Sequence, residues 1–116
     1  MTCTIEGWLP EAIANGAHGH WAVKAKKLAD ARRHAFWHVT EAGWKGIKTK
    51  ARLEITYVFP NRRRRDTDNL FARSKGLVDG VKHLLVDDDM EHLELLVRAE
   101  VQHGRKATIL TLTEIQ

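Results

Sequence analysis

Cys3 is the only cysteine in the 116-residue chain. No internal disulfide can form, and a reducing, cytoplasmic setting is the expectation. No apolar run is long enough to cross a bilayer, so no membrane association is expected. The start of the chain, Met1-Thr2-Cys3-Thr4-Ile5, lacks the basic region and apolar stretch of a secretory signal. Internal repeats, low-complexity tracts and a linker that would divide the chain are also missing, which leaves a single domain over residues 1–116.

The chain does carry positive charge. Its formal net charge is +4, and 43% of its residues are apolar, an ordinary share for a globular protein. A basic surplus in a small domain suits a polyanionic partner. The cations come in two blocks, Arg62-Arg63-Arg64-Arg65 and Lys24, Lys26, Lys27, Arg32 and Arg33. The acids gather elsewhere, in Asp87-Asp88-Asp89 and Glu91.

Periodicity predicts the elements. Thr2 to Leu9 reads as a first strand with imperfect alternation, and Pro10 to Gly19 as a loop. Ala22, Ala25, Leu28, Ala35, Phe36 and Val39 recur at helical spacing, predicting a helix from Trp21 to about Thr40 that ends at Gly43 and Gly46. Leu53, Ile55, Tyr57 and Phe59 alternate with other residues up to Pro60, as in a strand. A second helix begins near Asp66 or Thr67, both good N-caps, with Leu70, Leu77, Val81 and Leu84 as its apolar stripe. Asp87-Asp88-Asp89 is a turn. Leu93 to Val101 and Ala107 to Leu112 are strands joined by a hairpin loop at His103-Gly104-Arg105. The order β-α-β-α-β-β predicts an α+β fold, a mixed four-stranded sheet packed on two helices.

The informative segment is Asp66-Thr67-Asp68-Asn69-Leu70, directly after the four arginines. Two carboxylates flanking one residue at a strand-to-helix junction can reach one Mg²⁺ ion, which can activate water and bind a phosphate. The Asp87-Asp88-Asp89 run offers a third carboxylate. The plain alternatives are a helix cap for the first pair and a solvated turn for the triplet. Lys75 lies seven residues after Asp68, on nearly the same helix face and about 10 Å along the axis. Its ammonium can lean over Ala72 toward the carboxylates and stabilise charge there; a surface pair with Asp79 is the plainer role. The arginine block is a phosphate clamp, a nuclear-localisation-like run or a solvated loop, and acidic metal ligands beside it favour the clamp.

This ordered set of arginines, Asp-x-Asp-Asn-Leu, a helix with Lys75 and Asp79, and an Asp-Asp pair opening a strand resembles the RusA-like Holliday junction resolvases of bacteria and their phages. The likeness is strongest from Phe59 to Asp89 and looser from Asn15 to Arg33, where Asn15, His20, Trp21 and Lys24 are similar to a basic loop and helix. The resemblance implies a homodimer that binds four-way DNA junctions and nicks two strands of like polarity with Mg²⁺, with Mn²⁺ as a substitute, in recombination or repair. It makes Asp66, Asp68 and Asp88 the metal ligands, with Asp87 and Asp89 as open alternatives for the third. It makes Lys75 the catalytic lysine by a three-residue shift from Ala72, where some family members carry it. Lys24, Lys27, Arg62, Arg63, Arg64 and Arg65 would hold DNA. A non-cutting module of the same fold that binds branched DNA is the alternative.

His34 and His38 have a Zn²⁺-compatible spacing but lack a completing ligand, so they read as surface or DNA-facing residues. His18 and His20 lie in the glycine-rich loop, where phosphate contact is possible. Trp8, Trp21, Trp37, Trp44 and Tyr57 can stack on bases at an opened junction or fill the core.

Overall fold

The computed structural model describes residues 1–13, 21–63, 65 and 67–115. Four strands, β1 (Thr2–Glu6), β2 (Ala51–Phe59), β3 (Leu93–Val101) and β4 (Ala107–Glu114), join two helices, α1 (Trp21–Glu41) and α2 (Thr67–Val81). The expected α+β architecture and element order are those of the protein.

The sheet order is β1-β4-β2-β3. β4 runs antiparallel to both β1 and β2, whereas β3 runs parallel to β2 in a register pairing Ala51 with Leu93 and Phe59 with Val101. This corrects the expected hairpin, because β2 lies between β3 and β4. The connection must span two strand spacings, about 10 Å. It crosses the end of β2, where the Gln102 and Gly104 amides donate to the Phe59 and Pro60 carbonyls at 3.0 and 3.1 Å. Gly104 takes the left-handed turn at φ 76°, which a side chain would disfavour.

Leu53, Ile55, Tyr57 and Phe59 point from β2 into the core with Leu110 and Leu112 of β4. The helices cover that face of the sheet. α2 presents Leu77, Val78 and Val81, and α1 presents Ala31, Ala35 and Val39. The helices are parallel and very close. A Cβ built on Gly76 would lie 2.7 Å from the Leu28 carbonyl and from the Ala31 Cβ, and one on Gly80 would lie 2.6 Å from the Arg32 carbonyl. Glycine at these two positions is therefore what permits the approach. α1 ends in a Schellman cap, with Trp44 N–H donating to Val39 at 3.1 Å, Gly43 N–H to Thr40 at 3.0 Å, and Gly43 at φ 72°. Tyr57 is fully buried and shares a 2.6 Å hydrogen bond with the Ser74 hydroxyl, tying β2 to α2. Burial pushes the Tyr57 phenol well above its usual range, so it stays neutral.

β2 rises to its C-terminal end at Phe59, α2 descends beside it, and β3 rises again parallel to β2. The molecule thus has an upper end, where β2 and β3 finish and α2 starts, and a lower end, where α2 finishes and β3 starts. Among the described residues no helix is long and apolar enough to cross a membrane.

Candidate functional site

The upper end carries cations from both basic blocks. Asn69, in the first turn of α2, donates from Nδ2 to the Ile13 carbonyl at 2.6 Å. One residue earlier, the Ala12 carbonyl accepts from Lys27 Nζ of α1 at 3.1 Å. The two hydrogen bonds bring the second turn of α1 and the first turn of α2 together over the segment after β1. Lys26, next to Lys27, and Lys24, about one turn nearer the start of α1, are exposed at this end, as are Arg62 and Arg63. The β3–β4 connection adds Lys106. Blocks separated by about thirty-five residues in the chain thus flank one surface. Both parallel helices point their positive N-terminal poles toward it, which favours anions further.

Arg65 and Arg73 have a different job. Arg65 lies 3.8 Å from the centre of the Phe59 ring and donates to the Asn61 and Arg63 carbonyls at 2.9 and 3.0 Å. It folds the arginine loop back on the end of β2. Arg73 donates to Asn69 Oδ1 from Nε and Nη2 at 3.2 and 2.8 Å and faces the Tyr57 and Phe59 rings at 6.0 and 5.8 Å. Desolvation lowers the pKa of both arginines, yet guanidinium stays charged at any physiological pH. Arg73 orients Asn69 and stiffens the start of α2. Sequence reasoning passed over it, although Asn69 and Arg73 stand four apart on the helix, the spacing at which side chains meet.

Asp68 is exposed in the first turn of α2, at this same end of the fold. Asp66 and Arg64, named with it from the sequence, lie outside the described residues, as do Asn15, His18 and His20. Lys75 is exposed two turns down α2. Lys27, expected on DNA, is mostly engaged within the chain, with its Ala12 contact and a 3.9 Å pairing to Glu11.

The third expected carboxylate is elsewhere. Asp87, Asp88 and Asp89 follow the end of α2 and precede β3, at the lower end. Asp68 and Val81 alone are about 20 Å apart along the helix axis. Within one chain, Asp88 therefore does not share an ion with Asp68, correcting the expectation that helix and turn would bring them together. The reason is topological: parallel β3 must start at the end opposite to where β2 finishes. At the lower end the triplet forms a turn. Asp87 Oδ1 accepts from the Asp88 amide at 2.7 Å, and Asp88 faces Lys82 at 3.6 Å. Asp89 Oδ1 accepts from the Glu91 and His92 amides, each at 3.0 Å, and faces His92 Nδ1 at 2.7 Å. The His92 hydrogen bond holds the Asp89 carboxyl below the ordinary carboxylate range. Among the described residues, no three histidine, cysteine or acidic groups come together as a metal site.

The aromatics divide. Trp44 is buried, and Trp8 stacks on His34 with centroids 4.2 Å apart. His34 lies 3.8 Å from Asp30, so it serves packing on the flank of α1. Trp37 and Trp21 are exposed, Trp21 by 79%.

No protein-family model matches the chain. It is similar to a protein of Xylella fastidiosa (strain Temecula1) described as uncharacterized, with 31% identity over 113 residues that cover 93% of this chain and 73% of that protein. At that identity and coverage, the chain belongs to the same family as the Xylella fastidiosa protein.

Proposed function

We propose that the protein is a Mg²⁺-dependent, structure-selective endonuclease of the RusA-like kind, which binds four-way DNA junctions through its upper end. The observation that carries this reading is that Lys24 and Lys26 of one basic block and Arg62 and Arg63 of the other are exposed at the same end of the fold as Asp68. Phosphates need such a cationic surface, and a carboxylate placed within it repels DNA unless a divalent cation bridges the two. Lys24, Lys26, Arg62 and Arg63 hold the backbone, while Arg65 and Arg73 keep the loop and helix start in shape. Lys75, exposed two turns along α2, would stabilise charge on the phosphate. Mg²⁺ commonly binds through one or two carboxylates, water and substrate phosphate. Asp66 and Asp68 are the pair in this chain suited to that role, and a bound ion would polarise the phosphate and activate water. Such an enzyme works with the DNA in the cytoplasm.

A third carboxylate requires a second copy. β3 is an edge strand of nine residues, and its core-facing Leu95 and Val97 are only half-buried. Antiparallel pairing of two such edges about a two-fold axis sets the lower end of each protomer beside the upper end of its partner. Asp88 of one copy is then on the side of Asp68 of the other. This supports a homodimer as the working form.

The separation of Asp68 from Asp88 within one chain favours a second reading, a module that binds junctions without cutting. One experiment decides between them. A labelled four-way junction is incubated with the protein in Mg²⁺, in Mn²⁺ and in EDTA, with Asp68→Asn alongside. Paired nicks that need the divalent ion and Asp68 are expected, with binding retained in EDTA. Tight binding without nicks in any metal establishes the module instead.

A further inference from the structure

We infer that Trp21 is a stacking platform for an unpaired base at the branch point of the bound DNA, an assignment that rests on the DNA-binding reading above. Trp21, Leu28 and Ala35 are spaced by seven residues and so share one face of α1. Burial falls along this stripe from Ala35, fully buried against α2, through half-buried Leu28, to Trp21, which is 79% exposed. A stripe that packs the core for most of its length thus ends in an indole ring left in water.

The position of that ring identifies its occupant. Trp21 begins α1, less than two turns before Lys27, whose Nζ contact to Ala12 fixes this part of the helix beside the start of α2. Lys24, one turn on from Trp21, and the Arg62–Arg63 pair share that end. An exposed indole bordered by cations has the composition of a single-strand nucleic-acid site, where cations track the phosphates and an aromatic face takes a base. The other exposed aromatics of α1, Phe36 at 50% and Trp37 at 62%, lie toward the lower half, where Phe36 packs near His83 with centroids 4.8 Å apart. Their own basic neighbours, Arg32 and Arg33 one turn earlier and Lys45 beside Phe36, stand apart from the Arg62–Arg63 loop, and Arg33 is paired with Asp30 at 3.1 Å. In a paired duplex an inserted ring must first unstack a base step, at a cost of about a few kcal/mol, whereas a branch point exposes base faces wherever pairs open. The residue therefore adds affinity for branched over linear DNA, while the lysines and arginines bind both.

The test is a set of anisotropy titrations in EDTA, so that no strand is cut. Wild type, Trp21→Ala and Trp21→Phe are titrated against a labelled four-way junction and a linear duplex. A second junction carries 2-aminopurine beside the branch. Trp21→Ala should lose about tenfold in junction affinity, with little change on duplex and an unchanged salt slope. The 2-aminopurine response should vanish, and Trp21→Phe should restore most of both signals. Wild-type junction binding and 2-aminopurine response in Trp21→Ala would overturn the assignment alone. Equal weakening on junction and duplex would do the same, as would a changed sedimentation coefficient with junction preference kept, since Trp21 would then face a second copy. Failure of the wild type itself to bind the junction would remove the DNA reading and this assignment with it.

Discussion

The opposite placement of Asp68 and Asp88 makes a quantitative prediction about mixed dimers. β2 from Ala51 to Phe59 spans about 26 Å, and α2 covers about 20 Å between Asp68 and Val81. Carboxylates that bind one Mg²⁺ each lie about 2.1 Å from it, so they must be within a few ångströms of each other. One chain cannot meet that condition for Asp68 and Asp88, whereas the proposed two-fold dimer with antiparallel β3 edges would put them on the same side. Asp68→Asn and Asp88→Asn should each abolish cleavage alone, and Asp68→Asn should keep or tighten junction binding by removing a negative charge. Co-refolding the two variants in equal amounts makes half of the dimers mixed. In a mixed dimer one site carries both substitutions and the other carries neither. About a quarter of the wild-type number of sites should then be intact, and the mixture should nick a junction on one strand while either parent is silent. The assay is nicking of a labelled junction in Mg²⁺, with analytical ultracentrifugation to verify exchange. A mixture as silent as its parents, with mixed dimers demonstrated, would refute assembly across the interface. Normal cleavage by either variant alone would remove that carboxylate from the site.

Other expectations follow from the packing and charge. Gly76→Ala and Gly80→Ala each force α1 and α2 apart, and each should cost about 1–3 kcal/mol by urea denaturation; wild-type stability in either variant would contradict the close approach. Arg62→Ala and Arg63→Ala should each lower the slope of log affinity against log salt by about 1. Arg65→Ala should instead loosen the loop, seen as faster proteolysis between Phe59 and Thr67, because Arg65 binds the Asn61 and Arg63 carbonyls and the Phe59 ring. Hydrogen bonding to Arg105 holds the Glu6 carboxyl below the ordinary range. A carboxylate depressed in the folded state contributes above its unfolded pKa, and the contribution fades as pH falls through the folded value. Wild type and Glu6→Gln should thus differ in thermal midpoint at neutral pH and converge in acid once the carboxyl is protonated in both states; a difference that persisted in acid would assign the effect to packing.

The sequence by itself determined the local structure. Alternation in Leu53-Ile55-Tyr57-Phe59 and heptad-like spacing in α1 are periods that a single element imposes on its own residues, so both helices and all four strands were legible, as was the α+β order. The Asp87-Asp88-Asp89 turn was legible for the same reason, since aspartate satisfies nearby amides locally. The concentration of cations in two blocks was also plain, although nothing local says that blocks so far apart share a surface. Strand neighbours and the ends of elements were decided only in three dimensions. Leu93–Val101 and Ala107–Leu112 suit a hairpin, but the apolar centre of the sheet goes to β2, with both faces of Tyr57-Val58 buried, and β3 is left at the edge. That one exchange makes β3 parallel to β2 and sends the aspartate triplet to the end opposite Asp68. The tertiary structure also gave Gly76, Gly80 and Arg73 their roles and left Trp21 in water while burying Trp44. Each of these outcomes depends on what packs against a residue from a distant part of the chain, and spacing within a segment carries no information about that.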